Sequence, residues 1–164
     1  MKNAKNENGF GLVELLIALA ITALLLVAVA VAFNASVMNY TQNEDMFKAL
    51  NSARQALVRI TTQLRTGYLV DPCAPSNKCS FYTADGSDIT YRYNAAENKL
   101  YLITNDDLSD SDYVLCDNIT SMSFVKTPTD DGSDTKSVQI SITVSSGDVQ
   151  QTVTSAAVIR RTPN

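Results

Sequence analysis

The sequence predicts an α+β protein: a long N-terminal helix, membrane-spanning and then amphipathic, packed on an antiparallel β-sheet meander. Three observations carry this. Residues 10–33 form an apolar run of 24 residues with a single charge, Glu14. No Pro or Gly interrupts residues 12–66, and apolar side chains recur there at helical spacing. Beyond Gly67 the apolar period changes to two, the signature of strands.

The bulk properties set limits on function. A chain of 164 residues holds one domain with its own core. Its net charge of −4 and scattered Lys and Arg residues give no basic footprint for nucleic acid. Histidine is absent, which removes Ser–His and Cys–His nucleophile pairs and most zinc sites. No catalytic residues, cofactor or enzymatic activity are expected.

Residues 1–9 are short and polar, with Lys2, Lys5 and Glu7, and end in Gly9. The following run, 10–33, is about 36 Å long as a helix, enough to cross a hydrocarbon core of about 30 Å. Lysines before it and Asn43-Glu44-Asp45 after it place the N-terminus in the cytoplasm. Three readings compete. A secretory signal would be cut after Ala30 or Ala32, and a plain anchor would not be cut at all. Both leave Glu14 without a purpose, although a carboxylate at this depth costs about 2.5–3.5 kcal/mol. In the third, cleavage between Gly9 and Phe10 creates an ammonium one helical turn before Glu14, on the same face. The two charges can then neutralise each other, within a chain or between neighbours.

The stretch Gly9-Phe10-Gly11-Leu12-Val13-Glu14-Leu15-Leu16-Ile17-Ala18 closely resembles the class III signal of type IV prepilins and type II secretion pseudopilins. The resemblance implies a leader, 1–9, removed by a membrane prepilin peptidase that then methylates the amine of Phe10. It makes Glu14 the carboxylate that guides subunit addition. The second mature position, usually Thr or Ser in that family, is Gly11 here.

In the amphipathic half, 34–67, Met46, Leu50, Ala53, Leu57, Ile60 and Leu64 make one apolar stripe. Lys48, Asn51, Arg54, Gln55, Arg59, Gln63 and Arg65 lie opposite. The stripe reads as a core face against the domain's own sheet, with a coiled-coil face as the alternative. The stretch 34–43 is its weakest helical part, and Gly67 supplies a stop. Residues 68–164 read as a sheet domain. Ile89, Tyr91 and Tyr93 alternate with polar residues, 94–98 turn, and Leu100 and Leu102 resume the apolar face. A strand follows at 119–125. Val138, Ile140, Ile142 and Val144 alternate cleanly, and 145–148 close a hairpin onto 149–159. Short turns imply an antiparallel sheet with one face on the helix and one to water. Helix first, meander after, and the closing strand running into Ile159-Arg160-Arg161 look like the J-type minor pseudopilin and the W-type minor pilin.

Cys73, Cys79 and Cys116 allow three pairings in a domain outside the cytoplasmic membrane. The reading leans to Cys73–Cys79, with Cys79–Cys116 the rival and Cys116 otherwise buried as a small hydrophobe. Asp106, Asp107, Asp110 and Asp112, and separately Asp130, Asp131 and Asp134, are dense enough in oxygen to raise the question of calcium, which major pseudopilins hold in a C-terminal loop. Neither fits an EF-hand, and both read as solvated turns.

The resulting expectation is a structural subunit of the bacterial inner membrane, single-pass with its C-terminal domain periplasmic. It is cleaved by prepilin peptidase, joins other pilins through its helix, and initiates or tips a pilus or pseudopilus. A separate ATPase must drive assembly, since no phosphate-cradling loop is present. The alternatives are a pilus-tip adhesion or cargo-binding module, and an anchored periplasmic protein unrelated to filaments.

Overall fold

The computed structural model describes residues 11–106, 112–147 and 149–159. Helix α1 (Leu12–Thr66) is followed by seven strands: β1 (Lys78–Tyr82), β2 (Asp88–Asn94), β3 (Lys99–Thr104), β4 (Tyr113–Cys116), β5 (Ile119–Pro128), β6 (Thr135–Ser146) and β7 (Val149–Val158). The chain divides into two compact units, Met1–Thr41 and Gln42–Asn164.

In the first unit every described side chain is exposed. Val27, Val29 and Val31 are β-branched, yet the chain is helical there, as expected where no water competes for backbone groups. The hydroxyls are satisfied within the helix: Thr22 donates to the Ala18 carbonyl at 2.7 Å and Thr41 to Met38 at 2.9 Å. The weak stretch 34–43 is helical without interruption.

In the second unit, α1 buries Ala49, Ala53, Ala56, Leu57, Ile60, Thr61 and Leu64, with Met46 and Leu50 partly covered. The stripe is therefore a core face. Its partners include Tyr91, Leu100, Ile119, Phe124, Ile140 and Ile142. The helix contributes three alanines together with Leu57, Ile60 and Leu64, and the strands contribute the aromatic rings.

The single sheet expected from the sequence is instead two antiparallel meanders, β1-β2-β3-β4 and β5-β6-β7. The break falls at the two-residue link from β4 to β5. Asn118 is left-handed there (φ 56°), a conformation Asn tolerates better than most residues. Ile119 then donates to Asn98 at 3.0 Å rather than extending the ladder of β4. β1 and β4 are only five and four residues long; β1 alternates, burying Cys79 and Phe81, while β4 buries Cys116 alone.

The helix ends where expected, for a different reason. The Gly67 N–H still bonds to Gln63 at 2.8 Å, and it is Leu69 that turns left-handed (φ 53°). Glycine is needed at 67 because of crowding. A Cβ there would lie 2.7 Å from Phe81 Cδ2 and 2.8 Å from the Tyr82 carbonyl oxygen. The next residue, Tyr68, exchanges two backbone bonds with Tyr82 (2.9 and 3.0 Å), and the rings stack at 5.8 Å.

Gly67→Ala is expected to lower stability by about 1–3 kcal/mol, because rigid backbone and a buried ring must give way. Gly86, with open space around its Cβ position, should lose only about 1 kcal/mol on the same change through its φ of +91°. Thermal unfolding of the two variants in detergent measures the difference.

Candidate processing and assembly site

Helix α1 begins at Leu12, so Gly11 caps it and Glu14 stands at its third position. The Leu15 N–H bonds to the Gly11 carbonyl at 3.2 Å, while the Glu14 Oε2 accepts the Gly11 N–H at 2.9 Å. This back-reaching bond is half of a capping box. It also sets the carboxylate against the positive end of the helix dipole. Gly9 and Phe10 lie outside the described residues. Behind Glu14, α1 is apolar and long enough to cross a membrane by length and composition, and none of that stretch is buried.

The cysteines divide by environment. Cys79 is 0% exposed, Cys116 is buried and Cys73 is exposed; all three are free thiols. The expected Cys73–Cys79 bond is not formed in this structure. Sheet order rules out the rival pairing, because β1 and β4 are the two outer strands and lie three strand spacings apart, about 14 Å. A disulfide needs its Cα atoms within about 7 Å. Burial pushes the Cys79 thiol up to about 12 and Cys116 up to about 11, so both are inert, neutral hydrophobes at physiological pH.

The 73–79 loop is held by Lys126 instead. From β5 its ammonium donates to the carbonyls of Ala74 (2.7 Å) and Lys78 (2.9 Å), joining the loop and β1 of one sheet to the other sheet. The Phe124 N–H adds a bond to Ser76 at 2.7 Å. Burial lowers the Lys126 pKa, partly offset by the nearby Cys79 and Asp71. The sequence carried a signal for this residue: Met122, Phe124 and Lys126 share one phase of β5, so the alternation sends a lysine inward. A second missed pair is Tyr91 and Gln63. The fully buried tyrosine donates its hydroxyl to Gln63, which draws that residue off the solvent side of the helix.

The acidic residues are engaged locally. Asp106 accepts the Asp88 N–H at 2.7 Å, and Asp112 pairs with Arg92 at 2.6 Å. Asp107 and Asp110 lie outside the described residues. Asp131 bonds the hydroxyls of Thr129 and Ser133, which hold its carboxyl down to about 2. Asp134 accepts the Thr135 N–H at 2.6 Å. Among the described residues no group of three or more potential ligands is placed to hold a metal.

A long apolar N-terminal helix with a carboxylate in its first turn, followed by antiparallel sheets, is consistent with a pilin-like fold. Residues 4–30 match the family model described as the prokaryotic N-terminal methylation motif, which supports a type IV pilin-like class III signal. That motif indicates a structural subunit. It implies processing by prepilin peptidase and assembly with other pilins. Searches of curated proteins and of solved structures gave no match.

Lys126→Met keeps most of the stem but strips a donor from the Ala74 and Lys78 carbonyls. It is expected to lower stability by about 1–3 kcal/mol and to speed alkylation of Cys79 as the loop opens. Unfolding curves and the labelling rate of Cys79 with iodoacetamide, in a Cys73→Ser background, report the two effects.

Proposed function

We propose that this chain is a minor pilin or pseudopilin, cut between Gly9 and Phe10, methylated on the Phe10 nitrogen, and then built into a filament that it helps to initiate or tip. The observation that carries this reading is Glu14. It is the sole charge in the run 10–33, and its carboxylate reaches back to the head of the helix. In lipid such a group costs about 2.5–3.5 kcal/mol. An ammonium at Phe10, on this chain or on a neighbour, offsets that cost and converts it into specificity. A subunit whose N-terminus and Glu14 each find a partner is correctly seated, whereas one slipped along the axis leaves both unpaired.

The helix surface supports the same reading. Residues 12–33 bury nothing within the chain, so lipid covers them before assembly and other apolar helices cover them in a filament. The minor role rests on the order of elements, a helix followed by meanders whose last strand runs into Ile159. A separate ATPase supplies the work of extraction. The subunit sits in the inner membrane with its sheet domain periplasmic until then.

Glu14→Val tests the reading directly. A pairing energy of about 1.4 kcal/mol corresponds to a tenfold change in equilibrium. The variant is therefore expected to insert normally but to fall by about tenfold or more in sheared or purified filaments. Glu14→Gln, which still accepts the Gly11 N–H but carries no charge, should fail similarly. The proposal is falsified if the valine variant assembles as well as the parent chain.

A further inference from the structure

We draw no further inference here: the strongest candidate, the outer edge of strand β7 beside the half-buried Val153, carries nothing because nothing in the structure shows what covers it.

Discussion

One carboxylate in an apolar helix constrains much of this molecule. Glu14 stands among leucines, isoleucines and alanines at a depth where an unpaired charge is costly. Its bond to the Gly11 N–H uses one lone pair and leaves the charge itself unneutralised. On the proposed reading, the positive group next to it is an amino terminus exposed by removal of the leader, and cleavage, helix packing and filament register would follow from a single electrostatic requirement.

The soluble unit shows how the second half of the same helix is used. Its inner face, rich in alanine, lies under both sheets and contributes to a single core with them. Neither three nor four strands alone would bury much, and the short β1 and β4 depend on what covers them. Lys126 and the Phe124 amide tie the two sheets together near the loop that follows the helix. These bonds make a satisfied polar seam between otherwise apolar layers.

Much of this was legible in the sequence, and the residues show why. Long elements with strong periodicity were read correctly: the helix through 66, the alternation of Val138 to Val144, the turn at 94–98. What was missed depends on tertiary context. One expected sheet is two because Asn118 adopts a left-handed turn, and nothing in its type requires that. Gly67 was legible as a stop, but its cause, Phe81 pressing on the backbone, lies in a strand too short to notice. The cysteine spacing suggested a bond; in this structure all three are free thiols, and the lysine that braces the loop was not expected. Of the candidate site, Glu14 was evident because a charge in an apolar run stands out.

The most direct measurement is the intact mass of the mature chain, purified from membranes of a host that carries its prepilin peptidase. The account predicts a chain that begins at an N-methylated Phe10. A chain that still begins at Met1, or one that begins beyond Ala30, would contradict it, since either leaves Glu14 in the membrane with no ammonium one turn away.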